Sequence, residues 1–330
     1  WRSRQNAASL AIAKDAPAIE RIKWSLGQAP KTLSPVEQAE FLTDAESSLM
    51  THDRWTPRGV HRVPIHFGHG VRGNLYFKDG APTPMPVVVW LHPLSYHSGY
   101  NEGYGVQGTT VYQRLAENGF AVIAYDQCGL GLRLLEGRDF YKNHPRWSKL
   151  GRMVMDAKAA VSFAVEGRGA AKSVIPEFDT KRVFLLGYSS GALTAMYAGA
   201  LDDRVAGVAC FSGWTPLRNA GNARVTGGNR RLWELHALQP RLGLFNGRES
   251  EMPFDYDDVF GLVLPKPCLV VTPKRDRFTD FSAVVEVIDK VRSAKPRIAK
   301  GSFAWLAPDV TNRFQADQHQ EFINWTKTLE

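Results

Sequence analysis

Residues 181–201, KRVFLLGYSSGALTAMYAGAL, constrain this chain more than any other stretch. They open with the apolar run Val183, Phe184, Leu185 and Leu186, the composition of a strand buried on both faces. They close with small and apolar residues at 192–200, which suit a buried helix. Between these, Gly187, Tyr188, Ser189, Ser190 and Gly191 read G-x-S-x-G, the pattern of a nucleophile elbow when it lies between a strand and a helix. A serine on so sharp a turn has strained backbone angles, and the flanking glycines let strand and helix approach without Cβ clashes. The turn lifts the Ser189 hydroxyl clear of the sheet and aims the Ser190 N–H at an oxyanion beside it. The helix adds the positive end of its dipole. The plain alternative is a glycine-rich turn without chemistry. With glycine at 29 of 330 positions, a bare G-x-S-x-G arises by chance in roughly one such chain in ten, so the weight rests on the flanking strand and helix.

A chain of 330 residues, 44% hydrophobic and 22% charged, fits one large α/β domain with embellishments or two modest domains. No run of 18 apolar residues occurs, so no membrane-spanning helix is expected. The net charge of +8 reads as a solvated basic surface or as attraction for acidic partners such as uronate-containing glycans. The basic residues are scattered and no nucleic-acid-binding motif occurs, which argues against a nucleic-acid partner. Cys128, Cys210 and Cys268 lack metal-ligand spacing, and an odd count precludes complete pairing within the chain. His66 and His69 flank the turn of a hairpin at 60–67 and 71–77 but lack a third ligand, so no metal is expected. The chain begins at Trp1, as expected of a processed product, which agrees with a periplasmic or extracellular location.

Residues 1–55 read as a helical N-terminal extension. A helix start at Ser34, Pro35 and Glu37 is followed by Phe41, Leu42, Ala45 and Leu49 at helical spacing. Residues 56–330 read as the main domain. After the hairpin, strands are expected at 86–91, 120–125, 182–187, 205–211, 268–272 and 302–306. Helices are expected at 110–118, 147–165, 284–291 and 318–329. The alternation predicts a mostly parallel sheet of about eight strands with helices on both faces, its ligands gathered at the carboxyl ends of the strands. Residues 217–264 break the rhythm and read as a lid over those ends. Their arginines, Arg231 among them, read as surface charge or as a clamp for a substrate carboxylate.

The loop after strand 86–91 opens with His92, Pro93 and Leu94. In this setting it supplies a second oxyanion donor, for which the Leu94 N–H is the candidate beside that of Ser190. His92 reads more as a brace of the loop than as a reacting group. Candidate substrate-binding residues are His92, Tyr96, His97, Trp214 and His236, since aromatic faces with polar edges suit sugar rings. Asp276, in the loop after the penultimate strand, is the candidate acid ahead of Asp280. Its plain alternative is a turn carboxylate paired with Arg275 or Arg277.

With Ser189, then Asp276, then a histidine near the end, the chain resembles the α/β-hydrolase superfamily, and within it the dienelactone-hydrolase and acetyl-xylan-esterase-like branch. LHPLSY at 91–96, YDQCGLG at 125–131, GYSSGA at 187–192 and the Asp276 loop carry the resemblance, over about residues 60–330. The segment before the elbow and the GWTP turn at 213–216 look more like bacterial carbohydrate esterases than lipases. The resemblance implies an α/β-hydrolase fold and cleavage of small-molecule or glycan esters, acetyl or methyl, without a cofactor. It also implies a histidine in the loop right after the last strand. There the chain departs, because Asn312 stands at that place. His319, seven residues on, is the expected base if the loop folds back, and His236 in the lid is its rival. If neither serves, the chain is a binding protein that keeps the elbow as scaffold. A peptidase or acyltransferase on the same fold is a further alternative.

Overall fold

The apolar runs at 85–91, 121–125, 207–211 and 268–271 assemble into one sheet, in a computed structural model that describes residues 12, 15–31, 33, 40–41, 59–101, 109–166, 175–219, 226–297 and 302–329. The strands are β1 (Glu40–Phe41), β2 (Val60–Phe67), β3 (Val71–Lys78), β4 (Met85–Leu91), β5 (Ala121–Tyr125), β6 (Phe178–Tyr188), β7 (Gly207–Phe211), β8 (Cys268–Val271) and β9 (Phe303–Leu306). Their order across the sheet is β1-β2-β3-β5-β4-β6-β7-β8-β9. Pairing is antiparallel from β1 to β5 and parallel from β5 to β9.

Eight of these strands match the expected ones. The short β1 is a correction. Glu40 and Phe41 were expected within a helix, but they pair with His66 and Ile65 along the outer edge of β2. An open strand edge offers ladder hydrogen bonds that a short, peripheral helix does not outweigh. The rest of the helix expected at 34–49 lies outside the described residues.

The helices are α1 (Ala18–Leu26), α2 (Val111–Glu117), α3 (Leu134–Asn143), α4 (Lys149–Glu166), α5 (Ser190–Ala200), α6 (Tyr256–Val263), α7 (Phe281–Ala294) and α8 (Ala316–Lys327). Side chains alternate across a strand, so each buried run feeds two cores. Val88, Trp90, Phe184, Leu186 and Phe211 face α2 and α8. Val87, Val89, Leu185, Val208 and Val270 face α1, α4, α5, α6 and α7. From β4 the chain passes to β5 on one side and later to β6 on the other. That reversal opens a crevice at the carboxyl ends of the strands.

The segment expected as a lid divides in two. Its first part runs over the crevice through a single wide turn at Arg231–Leu235 and a tight one at Pro240–Phe245. Its last part is core, because α6 buries Tyr256, Val259, Phe260 and Val263. Asp255 is buried and caps α6. Its carboxylate accepts the N–H of Tyr256 at 2.8 Å, and those of Leu217 at 2.8 Å and Arg218 at 3.0 Å. The buried Gln239 amide anchors the lid to Ser25 of α1 and Tyr197 of α5, at 3.2 Å each. All three cysteines are buried free thiols. Among the described residues no helix is long and apolar enough to cross a membrane.

Candidate active site

One residue joins β6 to α5, and it is Ser189. Its φ of 54° and ψ of −119° place a non-glycine residue in a sparsely populated region. The surroundings hold it there. The Ser189 N–H donates to the Phe211 carbonyl at 2.9 Å. A Cβ at Gly191 would lie 1.8 Å from the Leu91 carbonyl oxygen, and one at Gly213 would lie 1.9 Å from that of Ser189. Only glycine permits β4, the elbow and the loop after β7 to come this close. Ser190 is the first residue of α5, so its N–H has no acceptor behind it in the helix and sits at the positive end of the dipole.

The loops after β4 and β5 are bolted to the elbow helix through Gln127. Its amide donates to the His92 carbonyl at 2.6 Å, and its Oε1 accepts the Thr194 hydroxyl of α5 at 2.7 Å. The Gln127 N–H donates to His92 Nε2 at 3.0 Å, which leaves Nδ1–H to donate to the Pro93 carbonyl at 2.8 Å. Burial lowers the His92 pKa to about 4, so the ring is neutral. His92 was a candidate for substrate binding. It is 1% exposed with both ring nitrogens engaged, so it braces the Leu94 loop instead. Asp126, whose carboxyl burial raises in pKa, accepts the N–H groups of Tyr100 and Leu132 at 2.8 Å each and joins the same two loops.

Ser189, Ser190, Leu94, Trp214, Asp276 and His236 line one cleft at the strand ends, with Arg231, Tyr256, Phe278 and Asn312. The Asp276 carboxylate is buried and accepts the Phe278 N–H at 2.9 Å and the Thr279 hydroxyl at 3.3 Å. Arg275 pairs with Asp309 instead, at 2.9 Å. Asp280, the weaker candidate for the acid, caps α7. From the lid side, His236 Nδ1 is hydrogen-bonded to Tyr96 Oη at 2.8 Å. Burial lowers the His236 pKa, and the charges of Arg231 and Lys149 lower it further.

The structure does not bring His319 into the cleft. It lies in the first turn of α8, 4% exposed, with its ring 4.7 Å from that of Phe314. Phe314 in turn stacks on Trp90 and Tyr188. Both His319 ring nitrogens are buried without a hydrogen-bond partner among the described residues. Burial, and secondarily Arg114, lower its pKa to about 4. The signal was in the sequence: His319, Phe322 and Ile323 recur at i, i+3 and i+4, which puts the imidazole on the core face of the helix. His97 is exposed and lies outside the cleft lining. Asn312 lines the cleft at the place implied for a histidine. Tyr256 and Phe278 had not been singled out. No pattern marks them, since the folding of the lid and the Asp276 loop brings them to the cleft. Among the described residues no group of three or more His, Cys, Asp or Glu could hold a metal ion.

The family described as Hydrolase_4, serine aminopeptidase S33, matches residues 87–262, which include the elbow, the Leu94 loop and most of the lid. No curated protein matches the chain in sequence. Among solved structures, a glucuronoyl esterase from Solibacter usitatus superposes with a TM-score of 0.66 at 14% identity, covering 98% of this chain and 94% of that one. A CE15 glucuronoyl esterase from Teredinibacter turnerae gives 0.65 at 14% identity, covering 93% and 82%. An esterase from Pyrococcus furiosus gives 0.52 at 16% identity, covering 83% and 96%. At such identities the likeness is one of fold.

Proposed function

Since the chain belongs to the serine aminopeptidase S33 family, serine hydrolases on the α/β-hydrolase fold, we propose that it cleaves acetyl or methyl esters on carbohydrate through Ser189. The observation that carries this reading is the elbow serine, held at φ 54° and opening into a cleft that Asp276 and His236 also line. His236 takes the Ser189 proton as Oγ attacks the ester carbonyl. The N–H groups of Ser190 and Leu94 receive the oxyanion, each contributing on the order of 3 kcal/mol. Asp276, the carboxylate of the same cleft, is the acid of this reading, and Tyr96 Oη holds His236 Nδ1 at 2.8 Å. The imidazolium then protonates the departing alcohol, and the imidazole activates the water that releases the acid. Support for a sugar substrate comes from Trp214 in the cleft lining, from the exposed Tyr96, which lies outside that lining but is hydrogen-bonded to His236, and from the fold shared with glucuronoyl esterases.

Release of acid from 4-nitrophenyl acetate and from acetylated and methyl-esterified polysaccharides tests the proposal, with Ser189→Ala, His236→Ala and His319→Ala as variants. Turnover lost in the first two and kept in the third is the expected result. Turnover that survives Ser189→Ala refutes it. One observation favours a second reading, a binding protein that retains the elbow as scaffold. Asn312 occupies the place of the expected histidine. Absence of turnover on every ester would select that reading.

A further inference from the structure

We propose that the ester this cleft accepts carries a free carboxylate beside the scissile bond, held by Arg231 of the lid, a step that rests on the esterase reading for its chemistry but not for binding. Among the described arginines of the lid, the others are engaged with the protein. Arg230 pairs with Glu234, Arg248 pairs with Glu251, and Arg218 and Arg241 donate to the carbonyls of Met252 and Trp24. Arg231 has no carboxylate within 4.0 Å and no hydrogen bond from its guanidinium among the described residues. It is half-buried in the cleft lining, with one face 4.0 Å from the Phe278 ring centroid. The ring contact holds the guanidinium in the cleft wall, and its N–H groups, which can grip a carboxylate in pairs, are left for a ligand.

Asp276 acts on Arg231 through its charge but makes no ion pair with it within 4.0 Å, and burial and Arg277 act the other way. Asp276, the one carboxylate of the lining, already accepts the Phe278 N–H and the Thr279 hydroxyl. The guanidinium carbon of Arg277 lies 4.7 Å from the centroid of the same Phe278 ring, and adds positive charge. Two more cleft-lining residues hold buried polar hydrogens without a partner among the described residues, the Tyr256 hydroxyl and the Trp214 indole N–H. A site built of unpartnered donors around a cation is complementary to an anion rich in acceptors.

The test compares hydrolysis of 4-nitrophenyl hemisuccinate with that of 4-nitrophenyl valerate, a neutral ester of similar size. In the unaltered protein kcat/KM favours the anionic ester by about tenfold or more, Arg231→Gln brings the ratio near unity chiefly through KM, and Arg231→Lys retains part of the preference. A ratio the same in the unaltered protein and in Arg231→Gln overturns the proposal. A second arm needs no turnover: calorimetric titration of Ser189→Ala with monomethyl glutarate, with and without Arg231→Gln. Binding that weakens about tenfold or more on loss of Arg231 upholds the carboxylate site even if every ester resists hydrolysis, in which case the esterase reading alone fails. Binding indifferent to Arg231 overturns it. Melting curves of the variants confirm that each is folded.

Discussion

Tyr188, the residue before the nucleophile, donates its phenolic hydrogen to Oδ1 of Asn312 at 2.8 Å. The side chain at the place of the expected imidazole is therefore an amide tied back to the elbow. An amide can hold the loop after β9 against β6, but it takes no proton near neutral pH. On the proposed esterase reading the base comes from elsewhere, and His236 is the histidine that lines the cleft among the described residues.

Asn312→His should place a second imidazole on the cleft wall with Ser189 and Asp276. General-base assistance is worth roughly 10²–10⁴-fold, so in the His236→Gln background Asn312→His is expected to raise kcat/KM on 4-nitrophenyl acetate by roughly 10²-fold. Turnover should then tolerate loss of His236. Initial-rate kinetics of Asn312→His with His236→Gln, set against His236→Gln alone, check this, and a rate that does not rise counts against the alignment of Asn312 with the base.

The acid limb of kcat/KM should lie below the ordinary imidazole value of about 6.5. His236 accepts a proton only when neutral, and burial with the Arg231 and Lys149 charges lowers its pKa, so it stays neutral further into acid. Arg231→Gln removes one of those charges and should move the limb upward. A pH profile whose limb sits at or above about 6.5 in the unaltered protein would refute His236 as the base.

Acid should weaken the fold through His92 and His319. Their folded pKa values, about 4, lie below the unfolded value of 6.5. The unfolded chain therefore binds more protons between these values, and stability present above about pH 6.5 is lost as the pH falls toward 4, on the order of 3 kcal/mol for each histidine. His319→Leu also removes two buried ring nitrogens without partners. Urea unfolding at pH 5 and pH 8 should show His319→Leu more stable than the unaltered protein at pH 5, with a smaller gap at pH 8, and with turnover unchanged. Loss of turnover would instead make His319 the base.

Thr194→Val deletes the donor to Gln127 Oε1 and leaves that buried acceptor unpaired, at a cost of about 1–3 kcal/mol. Because the Gln127 amide also holds the His92 carbonyl, two residues before Leu94, the oxyanion loop should lose its register with the elbow. Steady-state kinetics are expected to show a fall in kcat larger than the rise in KM, as for an interaction made in the transition state.

Much of this architecture is local and so was legible. A strand covered on both faces must be apolar throughout, and the runs at 85–91, 121–125, 207–211 and 268–271 are all buried apart from Pro86. The elbow was legible for the same reason, since Gly187, Ser189 and Gly191 lie within five residues and form a local pattern, although Phe211 and Gly213 from the next strand and loop help to hold it. That Asp276 lies in the cleft followed from its place after a recognisable strand. The histidine that lines the cleft did not follow. Distance along the chain favoured His319, but its neighbours in the helix turn it into the core, with Phe314 stacked over it. The groups that reach the cleft from afar, His236 and Arg231, belong to a segment with no period to read. Their position is decided by Gln239 gripping Ser25 and Tyr197, a contact between residues 214 and 42 positions apart that no local pattern encodes.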